Sequence, residues 1–251
     1  MVSVFNSQKV ISLNVSIGKY SDFLLDIMIR SRAKKSSYVC VANVHMCIEA
    51  QDDQSFAQLV NNADLITPDG MPLAKAIEVL CGEHQERVAG MDLLPDLLEE
   101  AERQRLSCFI YGGSEAVLEK SQDYISAKYP TLRCGFYSPP FRPLTSEEEQ
   151  ADCERINEFG AHLVFVVLGC PKQEKWMARM KGRIHACMIG VGGALPVMIG
   201  MQKRAPDWMQ QVSLEWLYRL IQEPKRLFKR YAYTNTKFLY LLCKQKLGIL
   251  K

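Results

Sequence analysis

No uninterrupted apolar run of about eighteen residues occurs in this 251-residue chain, so no segment has the length to cross a bilayer as a helix. The opening segment, Met1 to Tyr20, alternates as strands do and lacks a basic-then-apolar export signal. The expectation is a chain that is not exported. No C-x-x-C pair is present, and nine cysteines, an odd number, are scattered through apolar stretches. Reduced, buried thiols fit that usage better than disulfides do. There is no D-x-D, and His45, His84, His162 and His185 have no pairing at metal-ligand spacing, so they read as structural and no metal site is expected. The absence of G-x-x-x-x-G-K-[ST] and of G-x-S-x-G argues against a P-loop NTPase and an α/β-hydrolase.

What is present is an ordinary folding composition, 48% hydrophobic and 24% charged, which removes intrinsic disorder from consideration. The net charge of +3 conceals an asymmetry. Residues 201–251 hold 11 Lys/Arg against 3 Asp/Glu, whereas the first 200 hold 20 against 25. A basic tail on a mildly acidic body suits phosphates or anionic lipid; solvated helix faces are the plainer explanation.

Residues 2–18 read as a hairpin with a turn at Asn6-Ser7. Strand-like runs follow at Tyr38–Ala42, Leu65–Thr67, Cys108–Tyr111, Leu132–Phe136, Leu163–Leu168 and His185–Val191. Helical periodicity lies between them, near 20–31, 45–61, 71–81, 91–105, 115–128, 146–158 and 172–182. Thr145 with Glu148 forms a capping-box signature, and Pro171 stands where a first helical residue would. Such alternation predicts an α/β fold, Rossmann-like, with a mostly parallel sheet and helices on both faces. Beyond Gly200 the pattern changes. Met209, Val212, Trp216 and Leu220 fit one helical face, ended or kinked by Pro224, and aromatics and leucines interleave with lysines from Leu227 to Leu250. The expected organisation is therefore a catalytic domain over 1–200 and a basic amphipathic appendage over 201–251.

Ligands of open α/β sheets gather at strand ends, and four motifs fall there. Thr67-Pro68-Asp69-Gly70 holds an acid in a tight turn; it is either a plain turn or a general base. Tyr111-Gly112-Gly113-Ser114 runs into a helix, where glycine amides approach an anion or simply shape the turn. Gly169-Cys170-Pro171-Lys172-Gln173-Glu174 places Lys172 and Gln173 at a helix mouth, suited to a phosphate or a base edge. Gly190-Val191-Gly192-Gly193-Ala194-Leu195 is an incomplete dinucleotide fingerprint. Asp52-Asp53 reads as a solvated helix face. In the tail, Lys203-Arg204-Ala205-Pro206, Leu214-Glu215-Trp216-Leu217-Tyr218-Arg219-Leu220 and Glu223-Pro224-Lys225-Arg226 either close the core or aim arginines at a diphosphate. Lys225, Arg226, Lys229, Arg230, Phe228, Tyr231 and Tyr233 suit a membrane interface.

Taken with Ala42-Asn43 and Arg87-Val88-Ala89-Gly90, these motifs resemble the WecG/TagA/CpsF family in order and spacing along nearly the whole chain. The resemblance implies an inverting, metal-independent glycosyltransferase without a cofactor. It would move a sugar from a nucleoside-diphosphate donor, usually a UDP-sugar, to a polyprenyl-diphosphate-linked sugar acceptor in surface polysaccharide synthesis. It would work in the cytoplasm, peripheral on the inner face of the plasma membrane, against an anionic lipid surface. No nucleic acid is implied, and a homo-oligomer stays open. By the same resemblance Asp69 is the catalytic base, Asn43 and Arg87 line its pocket, Gln173 lies on the nucleotide side, and Arg219 and Arg226 reach the donor diphosphate with Lys229 or Arg230. Amides at Gly112 and Gly113 would add to that cradle. Val41 and Pro196 depart from the family pattern, where threonine and aspartate are common. Two rival readings are a Rossmann-type NAD(P) oxidoreductase, disfavoured by the incomplete glycine fingerprint, and a membrane-docked nucleotide-sensing adaptor, which would have no need of Asp69 and the arginines.

Overall fold

The computed structural model of the chain describes residues 5–249. Residues 1–4 and 250–251, which include the start of the expected hairpin and Leu250, lie outside them. In chain order the elements begin with β1 (Asn6–Val10), β2 (Leu13–Ile17), α1 (Tyr20–Arg32), β3 (Ser37–Ala42), α2 (Val44–Asp52), α3 (Gln54–Asn61), β4 (Leu65–Pro68) and α4 (Met71–Cys81). Next come α5 (Gly90–Arg103), β5 (Cys108–Gly112), α6 (Glu115–Lys128), β6 (Cys134–Tyr137), α7 (Ser146–Phe159), β7 (Leu163–Val167), α8 (Lys172–Met180), β8 (Cys187–Gly190) and α9 (Ala194–Met198). The tail holds α10 (Asp207–Gln211), α11 (Glu215–Gln222) and α12 (Pro224–Lys246).

The expected α/β architecture is present. Six strands form one sheet in the order β4-β3-β8-β7-β5-β6, flanked by helices, and β1 and β2 pair as a separate antiparallel hairpin. Parallel pairing sets Val39 beside Ile189, Phe165 beside Ile189 and Ile110 beside Phe165. Every residue of β3 and β5 is buried, which is why both read as unbroken apolar runs rather than alternating ones.

The described residues divide into two compact units. One contains 21–40 and 90–202, the other 5–20, 41–89 and 203–249. In the first, Tyr111 stacks on Trp176 with ring centroids 4.2 Å apart, and its hydroxyl donates to buried Asp152 at 2.5 Å. The capping box expected for α7 is formed: Thr145 accepts from the Glu148 amide, and the Glu148 side chain returns to the Thr145 amide.

The second unit corrects several expectations. The hairpin turns at Ile11-Ser12, and Asn6 and Ser7 are paired strand residues opposite Ile17 and Ser16. Ile11 takes φ 59°, costly for a β-branched residue, and its amide donates to Gln245 in α12 at 2.8 Å. The stretch 45–61 is two helices, because Asp53 is extended and its carboxylate caps α3 by accepting from Phe56. Asp52 is exposed, as expected of a solvated face, and there accepts hydrogen bonds from Tyr233 at 2.8 Å and from Lys237, both on α12. Nor do Met209, Val212, Trp216 and Leu220 share one helix. A turn with Ser213 at φ 64° separates α10 from α11, and Pro224 begins α12 as its first residue.

Candidate active site

At the end of β4 the chain runs through Pro68 into Asp69. The Asp69 amide donates to Ala42 O, the last residue of β3, at 2.7 Å. Gly70 then adopts φ 85°, a left-handed conformation that favours glycine, and α4 starts behind it. This holds the Asp69 side chain beside Asn43, which does two things at once. Its Oδ1 accepts from Met46 N at 3.1 Å and caps α2, and its Nδ2 donates to the Asp69 carboxylate at 3.4 Å.

Arg87 arrives by a separate route. Val88 N donates to Pro68 O at 2.9 Å, and the Thr67 hydroxyl donates to Val88 O at 3.1 Å, so the 86–89 segment is laced to the strand that carries Asp69. The Arg87 guanidinium donates to Glu215 at 3.2 Å and to Gln210 at 3.0 Å. Gln210 also accepts from Arg204 at 3.0 Å and donates to Ala205 O at 2.7 Å, tying the Arg204-Ala205-Pro206 segment to Arg87. Glu215 stood inside a motif quoted from the sequence but without a role, and Gln210 carried no sequence signal.

Asp69 is partly buried, and desolvation raises its pKa to about 6. The Glu215 charge pushes it the same way, while Arg219, the Asn43 hydrogen bond and Arg87 oppose the rise. A carboxyl poised near neutrality is matched to general-base work, because it is ionised at pH 7 yet basic enough to take a proton.

Asn43, Asp69, Arg87 and Arg219 are thus brought together within the second unit. Arg226 is exposed and pairs with Glu223, three residues earlier, and it is not among the charges acting on Asp69. Arg230 acts instead on His45. The remaining expected positions lie in the first unit. Gly112 has φ 100°, and a Cβ there would meet Val167 O at 2.7 Å. The Gly113 amide donates to Val167 O at 3.0 Å, so this N–H is engaged inside the fold, which corrects the expectation that it faces a ligand. Lys172 is exposed at the start of α8. Gln173 is buried, accepting from Gly169 N at 3.2 Å and donating to Glu174 at 2.7 Å.

Among the described residues no group of three His, Cys, Asp or Glu side chains comes together at metal-holding distance. The described helices include none long and apolar enough to cross a membrane.

Comparison with known proteins adds to this geometry. A sequence profile described as "Glycosyl transferase WecG/TagA/CpsF family" matches residues 8–251. The chain belongs to this family. It is also 30% identical over 210 residues to a Bacillus subtilis (strain 168) protein named N-acetylglucosaminyldiphosphoundecaprenol N-acetyl-beta-D-mannosaminyltransferase, with 81% of this chain and 80% of that protein covered. Membership makes the chain a glycosyltransferase and removes the oxidoreductase and adaptor readings.

Proposed function

We propose that this glycosyltransferase moves an N-acetylhexosamine, in the manner of the mannosaminyltransferase relative, from a UDP-sugar to a polyprenyl-diphosphate-linked sugar, with inversion and without a metal. The observation that carries the reading is Asp69, a carboxylate with raised basicity set among Asn43, Arg87 and Arg219. In the step proposed, Asp69 takes the proton of an acceptor hydroxyl, and the oxygen attacks the anomeric carbon from the face opposite the diphosphate. The new glycosidic C–O bond forms as the bond to the diphosphate oxygen breaks, and the nucleoside diphosphate departs with the electron pair. Its growing negative charge needs preorganised cations, and in place of a metal Arg219 and the tail arginine Arg226 supply them. The acceptor's lipid and the basic tail together support a peripheral station on the inner face of the membrane.

A donor screen against a short-chain polyprenyl-diphosphate N-acetylglucosamine tests this, with product mass and anomeric configuration as readouts. One added N-acetylhexosamine in the inverted configuration, formed at full rate in excess EDTA, is the expected result. A retained configuration would remove the single-displacement step. Loss of activity on chelation, restored by magnesium or manganese, would replace the arginines with a metal.

A further inference from the structure

The buried face of α12 is apolar except at its middle. Leu227, Phe238 and Leu241 are buried there, and between them, one turn apart, lie Arg230 and the buried Thr234. Opposite is α2. Tyr233 and Lys237 bind Asp52 at the C-terminal end of α2, while the Arg230 charge acts on His45 in its first turn, so the two helices run parallel, with Thr234 one turn beyond Arg230. Three buried polar atoms on these two helices have no hydrogen-bond partner: His45 Nδ1, Arg230 Nε and Thr234 Oγ1. Thr234 is only 3% exposed, and an unpaired hydroxyl so deep is unusual in a folded chain. Glu49, one turn along α2, approaches His45 Nδ1 to 3.7 Å, beyond hydrogen-bond reach, and is exposed enough to swing aside.

The chemistry of the three atoms is that of an oxyanion receptor. They are a guanidinium N–H, a hydroxyl and an imidazole that can present N–H. The first turn of α2, which has no acidic residue, adds the positive end of a helix. Burial and the Arg230 charge hold the imidazole at about 4, so near pH 7 it is neutral and does not repel the arginine.

We infer that His45, Arg230 and Thr234 form a site for a phosphate of the lipid-linked acceptor. This rests on the acceptor reading above. His45 lies two residues from Asn43, whose amide is bonded to Asp69, so base and anion site stand at one end of the same helix. A sugar whose hydroxyl meets Asp69 carries its own diphosphate across the width of one ring. An anion site that close to the base therefore matches the acceptor's phosphate, which is fixed to that sugar. The exposed Phe228, Leu239 and Tyr240 on the outer side of α12 offer apolar surface for the polyprenyl chain that follows.

Two measurements test the site in the full chain. First, the His45 imidazole resonances, assigned by their loss in His45→Gln, are followed by NMR during titration with inorganic pyrophosphate. A saturable shift is expected, weakened roughly tenfold or more by Arg230→Gln and by Thr234→Val, and restored by Thr234→Ser. No shift, or unchanged affinity in both variants, would overturn the site. This readout requires no turnover, so it stands or falls apart from the proposed reaction. Second, steady-state kinetics of Thr234→Val and Thr234→Ser assign the phosphate. A higher KM for the lipid-linked acceptor in Thr234→Val, with the donor KM unchanged, supports the acceptor. A rise confined to the donor KM overturns that assignment.

Discussion

Asn43 binds Asp69 and caps α2 with opposite ends of one amide. Fixing the cap therefore fixes the direction from which the base is held, and the carboxylate is left with a single side-chain hydrogen bond to stabilise its charge. Desolvation outweighs that bond, and the folded state keeps the Asp69 carboxyl at about 6, above its unfolded value. A carboxyl raised on folding favours the native state below the unfolded value and loses that contribution as pH rises through the folded one. At neutral pH the native fold thus bears the strain of an ionised Asp69. Asp69→Asn is expected to lower turnover by about 10²–10⁴, as for other general bases. The same variant should unfold later than the wild type at pH 7–8, by on the order of 1–2 kcal/mol after allowance for partial solvent access. Denaturant titration at pH 8 and at pH 4 checks the sign, since the gap should close at the lower pH.

Rate should follow the same ionisation. For the wild type, kcat/KM is expected to fall below about pH 6 with unit slope as Asp69 takes up its proton. Neighbouring charges then move the limb in opposite directions. Glu215→Gln removes a negative neighbour and should shift the limb to lower pH, whereas Arg219→Gln should shift it higher. A pH–rate profile in which both variants keep the wild-type limb would assign the titration to another group.

Gln210 is a structural hub rather than a reacting group. Its side chain accepts from Arg87 and Arg204 and donates to Ala205 O, and only 6% of its surface is exposed. Gln210→Ala removes one hydrogen bond from each of the three partners, so a loss of about 1–3 kcal/mol in urea unfolding is expected. Gln210→Glu should restore the acceptor role toward both arginines while losing the bond to Ala205. An alanine variant as stable as wild type would show that these partners find other bonds.

The sequence was most legible where a local signal and the fold demanded the same thing. Helix α4 begins after Gly70 and ends at Gly82, which takes φ 79°, and both glycines are plain in the sequence. Asp69, Asn43, Arg87 and Arg219 were named from short motifs, and the structure gathers them in one unit. Failures came where the deciding partner is remote. The hairpin turn at Ile11 depends on Gln245, 234 residues away. His45 has no metal-ligand spacing in the sequence, and its neighbours in space are Arg230 and Glu49.

The proposed membrane contact of the tail can be tested at named residues. Cutting the chain near Gly200 is not a clean test. The second unit would lose Gln210 and Glu215 from Arg87, Gln245 from Ile11 and Lys9, and Tyr233 and Lys237 from Asp52. Such a truncation is expected to unfold that unit rather than merely release it from lipid. Exposed positions at the start of α12 give a cleaner probe. Lys225 and Lys229 are exposed, Phe228 between them is 63% exposed, and Ile221 just before the helix is 69% exposed. Together they present cations beside apolar surface, the pattern of an interfacial helix. The wild type should sediment with vesicles rich in anionic lipid and be released by high salt, because each basic residue near the surface contributes about 1 kcal/mol and is screened within about 8 Å at physiological ionic strength. Lys225→Glu combined with Lys229→Glu should weaken that binding by roughly a hundredfold or more, since two attractions become repulsions. Phe228→Ser should weaken it even at high salt, where only apolar burial is left. If the double charge reversal sediments as the wild type does, the contact lies elsewhere on the molecule, and the basic charge of α12 serves the protein's phosphates alone.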